Sequence, residues 1–423
     1  MYKKLGLLLV VVIISLFSFL LVFADELSIL AESGGVGELK TIAENWQKET
    51  GNTVNFIEVP YADVYNKFAA EMAAKGSDYD VVVTDVVWMP AFADYATPID
   101  DLFTDDVKKD MFPFLLNDTQ YNGHYVGMPA WANTELLFYR KDLFEDAKEK
   151  ADFKAKFGYD LVVPTTWQQY IDAAQFFTRD TNGDGEIDIY GTDVKGVYPE
   201  EWEAFVFQAG SKNLVLDENL TPVIDDEYHA KALQTYADLH CKYDVTPKNV
   251  NEIDWNASQQ MFQDGKLAME LFWAHGYRQI PEDSAVYGKV GVAPMPAGDG
   301  GVAGVPGPWY NIIPSGSKKI DLAKQFLAYA FANNVVAVEN SPLALVASVS
   351  AMNAYKDKPG YEYLNAMMDT LNSTLTGSRP RVSNWQEITD EVLTPLVQQA
   401  LSCDGTSIHD LLTNAKSQLE DMK

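Results

Sequence analysis

The pattern of hydrophobic and polar positions predicts alternating strands and helices in the first part of the chain. After residue 24 the sequence reads "DELSILAES", "GELKTIAENWQKETG" and "TVNFIEVP", which predicts a strand, a helix and a second strand. The apolar residues at helical spacing form one face of that helix: Leu39, Ile42, Ala43 and Trp46. Trp46 is therefore predicted to pack in the core, and Gly51 is a suitable end for the helix.

A second helix and a third strand follow the same order. "YADVYNKFAAEMAAKG" predicts the helix, and the unbroken valine run of "YDVVVTDVVW" is typical of a strand buried on both faces. Strands that alternate with helices in this way form a parallel sheet. Ligands bind beyond the carboxyl ends of such strands, so "AESGG" and "TDVVW" are the first places to look for a site.

The pattern changes after residue 140, where longer helices such as "TTWQQYIDAAQFFTRD" and "EYHAKALQTYADLHCKY" are separated by polar loops. Short apolar strands return in "GKVGVAPMP" and "GPWYNIIPSGS", and the tail is mainly helical. A chain of 423 residues exceeds what one hydrophobic core usually supports. The sequence therefore predicts two α/β domains.

The first residues have the pattern of a secretory signal peptide. Lys3 and Lys4 precede a long apolar run, and Ala24 supplies a small residue at the predicted cleavage point. The alternative is an uncleaved anchor, because a run of about 20 apolar residues can span a bilayer. No cysteine lies near the cleavage point, which excludes lipid attachment there. Residues 1–24 are predicted to be removed, leaving a periplasmic or secreted protein.

The chain is strongly acidic, with 32 Lys and Arg against 61 Asp and Glu. Removal of residues 1–24 takes away two lysines and changes the formal net charge from −29 to −31. Nucleic acids and anionic lipids are not expected partners at that charge, and solubility is the simplest explanation for the acidity. Cys241 and Cys403 would lie in an oxidising compartment, but the sequence leaves open whether they pair.

Several segments together resemble the bacterial extracellular solute-binding proteins of carbohydrate ABC transporters, the family of maltose-binding protein. These segments follow the order of the family along most of the chain after residue 24. The segments that carry the resemblance are "YDVVVTDVVWMPAFADYATPIDDL", "YNGHYVGMPAWANTELLFYRKDLF", "VPTTWQQYIDAAQFF", "MFQDGKLAMELFWAHG" and "VGVAPMPAGDGGVAGVPGPWYNIIPSGSKKIDLAKQFL". The resemblance implies two α/β lobes, each a mostly parallel sheet flanked by helices, joined by a hinge that the chain crosses three times.

The resemblance also implies lobe boundaries and partners. Crossings near Asn133, Val305 and Ser341 would give a first lobe of residues 25–133 and 306–341, and a second lobe of residues 134–305 and 342–423. The implied function is high-affinity binding of a mono- or oligosaccharide between the lobes by a monomer, and delivery to the permease subunits of an ABC transporter. Two alternatives stay open: a different polar solute, such as an acidic sugar or a peptide, and a sugar sensor without a transporter.

Tryptophans are the first candidates for contact with a sugar, whose apolar faces stack on flat rings. Five of them follow an apolar run or stand in a turn, where core packing and ligand contact are both reasonable: Trp88, Trp131, Trp273, Trp309 and Trp385. The resemblance favours ligand contact for Trp273, Trp309 and Trp385, and adds Trp202 at a predicted helix start. Trp167 is predicted to be structural, and Trp255 has no assigned role.

Polar side chains near the same segments are candidates for hydrogen bonds to hydroxyl groups. Glu32 and Ser33 follow the first strand, Asp85 ends the third, and Asn133 stands beside the predicted hinge. Asp85 can also cap the next helix, but its position before "VVW" favours ligand contact. Arg381, like Arg379, can bind hydroxyls or a carboxylate, or form an internal salt bridge.

The sequence gives little support to an enzyme. A glycosidase needs two carboxylates roughly 5 to 9 Å apart, which a sequence does not exclude. The chain has neither a G-x-S-x-G nor an H-E-x-x-H motif, and its five histidines are scattered singly. We therefore expect a binding protein without catalytic residues.

The segment "DTNGDGEIDIYG" resembles an incomplete EF-hand loop. Oxygen ligands would come from side chains or the backbone at positions 1, 3, 5, 7 and 9: Asp180, Asn182, Asp184, Glu186 and Asp188. Position 12 is Gly191 and not the usual glutamate, so a bound ion would need a further oxygen. The sequence predicts a structural Ca²⁺ site outside the ligand cleft; the alternative is a solvated turn without metal.

Overall fold

The computed structural model describes residues 24–33, 35–341 and 343–422. The predicted signal peptide, residues 1–24, lies outside this range except for its last residue. Within the described ranges, no helix combines the length and the apolar character that a membrane crossing requires.

The strands and helices follow the predicted order in the first part of the chain. The strands are β1 (Glu26–Glu32), β2 (Thr53–Val59), β3 (Val81–Asp85), β4 (Gln120–Tyr121), β5 (His124–Tyr125), β6 (Gly127–Trp131), β7 (Glu135–Arg140), β8 (Met269–Trp273), β9 (Val290–Ala293) and β10 (Trp309–Ile312). The helices up to the middle of the chain are α1 (Gly37–Thr50), α2 (Tyr61–Ala74), α3 (Met89–Phe92), α4 (Asp105–Lys109), α5 (Pro113–Asp118), α6 (Lys141–Glu145), α7 (Ala147–Phe157), α8 (Trp167–Phe177), α9 (Glu200–Ala209) and α10 (Glu227–Cys241). The remaining helices are α11 (Trp255–Gln263), α12 (Ile320–Ala332), α13 (Asn334–Asn340), α14 (Val349–Tyr355), α15 (Tyr363–Leu371), α16 (Trp385–Ile388), α17 (Thr394–Ala400) and α18 (Ile408–Asp421).

The first lobe is built on a five-stranded sheet in the order β2, β1, β3, β10, β6. Strand β1 is parallel to β2 and β3, as the strand and helix pattern predicted, and β10 runs antiparallel between β3 and β6. The valine run Val81, Val82 and Val83 is completely buried, which confirms a strand covered on both faces. Trp46 also lies in this core, 5.1 Å from the ring of Phe326.

The second lobe contains a three-stranded sheet in the order β8, β7, β9. Both neighbours run antiparallel to β7, so the prediction of a mostly parallel sheet in each lobe is wrong for this one. Tyr139, near the end of β7, pairs with Met269 at the start of β8. β8 therefore begins at the end of the sheet where β7 stops, and the two strands run in opposite directions.

Strand β7 separates two hydrophobic clusters. Leu136 and Phe138 belong to the cluster that includes the first lobe, and Leu137 between them belongs to the cluster of α8, α9 and α10. Alternate residues of a strand point to opposite faces, so both faces of this sheet are covered. Residues after Ser341 still contact the first lobe, because the Ala132 amide donates to the Val346 carbonyl at 3.1 Å. The three hinge crossings and the lobe boundaries stay predictions.

Cys241 and Cys403 form a disulfide, which answers a question that the sequence left open. It joins the last residue of α10 to the loop between α17 and α18, with a sequence separation of 162. A bond across so long a stretch restricts the unfolded chain strongly.

We expect replacement of both cysteines by serine to lower the free energy of unfolding by about 2 to 5 kcal/mol, because the unfolded chain regains conformational freedom. Urea denaturation of the oxidised protein measures the change. Dithiothreitol serves as the control, since it should lower the melting temperature of the natural chain and leave that of C241S/C403S unchanged. Equal stability of the two oxidised proteins would contradict a stabilising disulfide.

Candidate ligand-binding cleft

The carboxyl ends of the first sheet carry a chain of aromatic rings, as expected for this edge. The rings of Tyr61 and Trp88 are 4.6 Å apart, those of Trp88 and Trp309 are 5.8 Å apart, and Trp309 stacks on Trp131 at 5.5 Å. In the sheet, Trp309 stands opposite both Asp85 and Trp131. The first wall of the cleft is defined here as Tyr61, Asp85, Trp88, Trp131 and Trp309.

Polar groups accompany these rings. The Tyr61 hydroxyl donates to the Asp85 carboxylate at 3.0 Å, and the Val87 amide donates to it at 3.3 Å. Burial raises the pKa of Glu32 to about 7, with a further contribution from Asp85, so the two carboxylates share one environment. Ser33 is exposed, and its amide donates to the Val59 carbonyl at 2.8 Å. Glu32 and Asp85 are thus brought together as predicted from their strand ends.

A second group of aromatic rings lies on the second lobe. Tyr198 and Trp255 are stacked with ring centres 5.4 Å apart, and Trp255 is 5.9 Å from Trp273. Trp273 is half-buried and lies close to Gly307, where an added Cβ would be only 2.7 Å from the indole. Any larger residue at position 307 would collide with this ring. The second wall is defined as Tyr198, Glu200, Trp255, Trp273 and Arg379.

Arg379 links the charges of the two walls. Its Nε donates to the Glu203 carboxylate at 2.9 Å and its Nη1 to the Pro306 carbonyl at 3.3 Å. Burial alone would lower the pKa of Arg379, but the surrounding carboxylates, with Glu203 foremost, raise it. Burial raises the pKa of Asp85, and the positive charge of Arg379 opposes that rise. The two walls therefore lie close enough to interact electrostatically.

A buried ionic cluster supports the second wall from behind. The Lys195 ammonium donates to Glu201 and to the Leu271 carbonyl, the latter at 3.0 Å, and lies 3.3 Å from Asp193. Glu201 also accepts from the Tyr236 hydroxyl at 2.7 Å. Burial raises the pKa of Glu201 to about 7, although Lys195 opposes the shift. Lys195 is the cation that keeps these acids in the core.

Asn133 connects the strands at the predicted hinge. Its side-chain amide lies 3.1 Å from Nδ1 of His275, and its Oδ1 accepts from the Thr134 amide at 3.1 Å. Its carbonyl accepts from the Gly307 amide at 3.0 Å. Burial lowers the pKa of His275 to about 4, so the imidazole is neutral at pH 7. These bonds position Asn133 within the link from β6 to β7.

Two predicted tryptophans lie in the core of the second lobe. Trp202 is 0 % exposed and its ring centre is 6.4 Å from that of His229. Trp385 is also buried, and its helix α16 packs against the turn Val86–Trp88 of the first lobe. Their predicted contacts with a ligand stay predictions.

Arg381 contacts the first lobe and not an open pocket. Its guanidinium donates to the carbonyls of Asn117, at 3.0 Å, and Gln120, and lies 4.1 Å from the ring centre of Tyr121. Nearby, the Ser378 hydroxyl donates to Asp118 at 3.3 Å. Arg381 therefore joins the segment after α15 to the first lobe, and its ligand role stays a prediction.

The loop at residues 180–191 is exposed over residues 181–187 and is folded around its own side chains. Asp180 accepts from the amides of Gly183 and Gly185 at 2.6 and 2.8 Å, and Asp188 accepts from Thr181 at 2.6 Å. Carboxylate and amide oxygens suit a hard cation such as Ca²⁺. In the part of the chain that the structure describes, no group of three or more His, Cys, Asp or Glu converges on one metal position.

Tyr61 and Tyr198 were missed by the sequence analysis, which considered tryptophans alone. Tyr61 follows Pro60 directly after β2, at a strand end of the kind that was examined for β1 and β3. That position was a usable signal. Tyr198 carried none, because its importance depends on stacking with Trp255, which is distant in sequence.

Several proteins of known sequence and one solved structure are similar to this chain. A probable ABC transporter-binding protein of Deinococcus radiodurans is 27% identical over 379 residues, covering 84% of this chain and 85% of the relative. The arabinooligosaccharide-binding protein of Bacillus subtilis is 23% identical over 302 residues, covering 68% and 65%. The maltose-bound MalE3 structure of T. maritima is 25% identical, with a TM-score of 0.76, and covers 95% of this chain and 100% of its own.

A family model described as bacterial extracellular solute-binding protein matches residues 33–337. The match includes both walls except Arg379, and every strand of the two sheets except β1. The two-lobed fold and this match lead to one conclusion: the chain belongs to the family of bacterial extracellular solute-binding proteins.

Proposed function

We propose that this protein binds a carbohydrate between the first and second walls and delivers it to the permease of an ABC transporter. The observation that carries the proposal is the pair of aromatic walls with carboxylates and Arg379 between them. Rings that stack on apolar sugar faces and planar polar groups that bind hydroxyls are the two elements of a sugar site. The arabinooligosaccharide-binding relative and the maltose-bound neighbour support the same class of ligand.

Closure of the two lobes is the proposed mechanism. A ligand that touches both walls stabilises the closed form, because the open form offers only one wall at a time. Val87 packs against both hydrophobic clusters, and Arg379 lies near Asp85, so the closed arrangement has its own contacts. The permease then recognises the closed form, and a separate ATPase supplies the energy. In this proposal the protein acts as a monomer, outside the cytoplasmic membrane after removal of residues 1–24, and has no catalytic residue.

The arginines argue against a ligand with an anionic group. Glu203 already compensates the charge of Arg379, and Arg381 donates to two backbone carbonyls of the first lobe, so both guanidinium groups have partners within the protein. A peptide or acidic sugar would need such a partner. The geometry therefore favours a carbohydrate without negative charge over the alternative cargo.

Native mass spectrometry of freshly purified protein tests the proposal by detecting a retained ligand. Titration calorimetry against mono- and oligosaccharides then measures affinity, with intrinsic tryptophan fluorescence as an independent signal of closure. We expect at least one sugar to bind and to change the fluorescence. Absence of both signals with every sugar would refute carbohydrate binding, and hydrolysis of a bound sugar by the pure protein would refute a purely binding role.

We also propose that the loop at residues 180–191 holds a structural Ca²⁺, with Asp180, Asn182, Asp184, Glu186 and Asp188 as ligands. Chelation by EDTA is expected to lower the melting temperature while sugar affinity changes little, because the loop lies outside both walls. Differential scanning calorimetry and sugar titration on the same samples measure the two effects. D184N, which removes one loop carboxylate, should reduce the response to EDTA. A larger loss of affinity than of stability would place calcium in the binding site.

A further inference from the structure

We propose that the carbohydrate carries a positively charged amino group, which the carboxylates of Glu135 and Glu200 hold at the second wall. The ligand class is thus an amino sugar or an oligosaccharide that contains one. This inference rests on the proposed function, because it names the chemistry of the ligand for the same cleft.

The first observation is an excess of carboxylates around the cleft. The acids of the two walls and their immediate neighbours are Glu32, Asp85, Glu135, Asp193, Glu200, Glu201, Glu203 and Glu270, and the cations are Lys195 and Arg379. Lys195 is engaged by Glu201 and Arg379 by Glu203. These pairings leave Glu135 and Glu200 without a directly bonded cation among the described residues, so the field at the second wall is negative.

The second observation is the state of Glu135 itself. The side chain is 1 % exposed, and neither carboxylate oxygen has a hydrogen-bond partner within the described ranges. One oxygen of Glu200 is buried without a partner too. A buried polar group without a partner is costly, and a carboxylate is more costly than a neutral group. In native proteins such a group has a specific explanation, such as a bound water or ion, a catalytic role or a ligand.

The position of Glu135 directs it to the cleft. It is the first residue of β7 and stands directly opposite Trp273, a member of the second wall, so the two side chains share one face of the sheet. Its charge interacts with those of Glu200 and Arg379, also in the second wall. A ring of the ligand that stacks near Trp273 would bring its substituents to Glu135 and Glu200.

An ammonium group matches these acceptors better than a hydroxyl does. It supplies three N–H donors and a positive charge, whereas a hydroxyl supplies one donor and leaves the negative charge uncompensated. Burial followed by the charge of Glu203 raises the pKa of Glu200 to about 7, and burial with Glu201 raises that of Glu135. Burial, the largest cause of each shift, disfavours a charge of either sign, whereas the contributions of Glu203 and Glu201 show that the two acids lie among other carboxylates, whose charge an ammonium would offset.

Calorimetry with matched ligands tests the inference at pH 7. The probes are glucosamine, galactosamine and chitosan oligosaccharides, each compared with its neutral N-acetylated form and with the corresponding unmodified sugar. We expect an amino form to bind at least tenfold more tightly than its N-acetylated form, with an affinity that decreases as salt increases. Neutral sugars that bind as tightly as the amino forms would overturn this inference alone. If no sugar of any class binds, the proposed function fails with it.

Two variants locate the interaction. E135Q and E200Q keep the side-chain shape and remove the charge, and each should weaken binding of the amino form about tenfold more than it weakens binding of the neutral forms. E218Q, at an exposed position outside both walls, makes the same chemical change and should alter neither affinity. Thermal melting shows whether each variant is folded. If E135Q does not fold, the affinity of E200Q for the amino form tests the inference. Unchanged affinity of folded E200Q for the amino form would contradict the assignment.

Discussion

Replacing Trp273 with alanine is expected to weaken carbohydrate binding about ten- to hundredfold while the protein stays folded. The indole is half-buried at the end of β8, beside Trp255 and over Gly307, so part of its surface is available to a ligand. Burying an aromatic face against a sugar contributes about 1.5 to 3 kcal/mol, which corresponds to that range of affinity. Titration calorimetry with the sugar identified by mass spectrometry measures the loss.

Tyr287→Ala is the control for this prediction. Tyr287 is an exposed aromatic residue near the far end of β7, because the carbonyl of its neighbour Lys289 accepts from the Lys141 amide just after that strand. Trp273 lies at the opposite end, where it pairs with the first residue of β7. Replacement of Tyr287 removes a ring of similar character far from the walls and should leave affinity unchanged. An equal affinity of W273A and the natural chain would show that the second wall is not part of the binding site.

Replacing Lys195 with methionine is expected to lower the free energy of unfolding by about 3 to 5 kcal/mol. The ammonium is completely buried and is bonded to Glu201 and to the Leu271 carbonyl. Methionine fills a similar volume but leaves the acids without their cation, and they must then be protonated or stay charged in the core. Urea denaturation monitored by circular dichroism measures the change.

A second substitution separates charge from packing. K195M/E201Q removes the cation and one of its partners together, so less uncompensated charge remains than in K195M. We expect the double variant to be more stable than the single one, with a coupling energy above about 1 kcal/mol. Additive losses would mean that packing, and not the ion pair, determines the effect of Lys195.

The sequence by itself determined the features that depend on neighbours along the chain. The spacing of apolar residues around Trp46 and the valine run at Val81 predicted β1, α1, β2, α2 and β3, and the structure has these elements in this order. Because ligands bind beyond strand ends, the same pattern placed Glu32 and Asp85 together, and the structure shows their charges interacting. The ordered set of resembling segments gave the family, which the match over residues 33–337 confirms.

Only the tertiary structure decided the features that depend on residues far apart in sequence. Periodicity predicts strands but not their direction, so the antiparallel second sheet became clear only when Tyr139 was found opposite Met269. The pairing of Cys241 with Cys403 likewise depends on a distance that spacing does not fix.

The assembly of the second wall is the clearest case. Tyr198, Trp255 and Trp273 come from three separate segments, and the unpartnered state of Glu135 follows from its burial beside them. A local pattern records whether a residue faces a core. It does not predict which distant segments pack beside that residue, because their position depends on chain topology and packing.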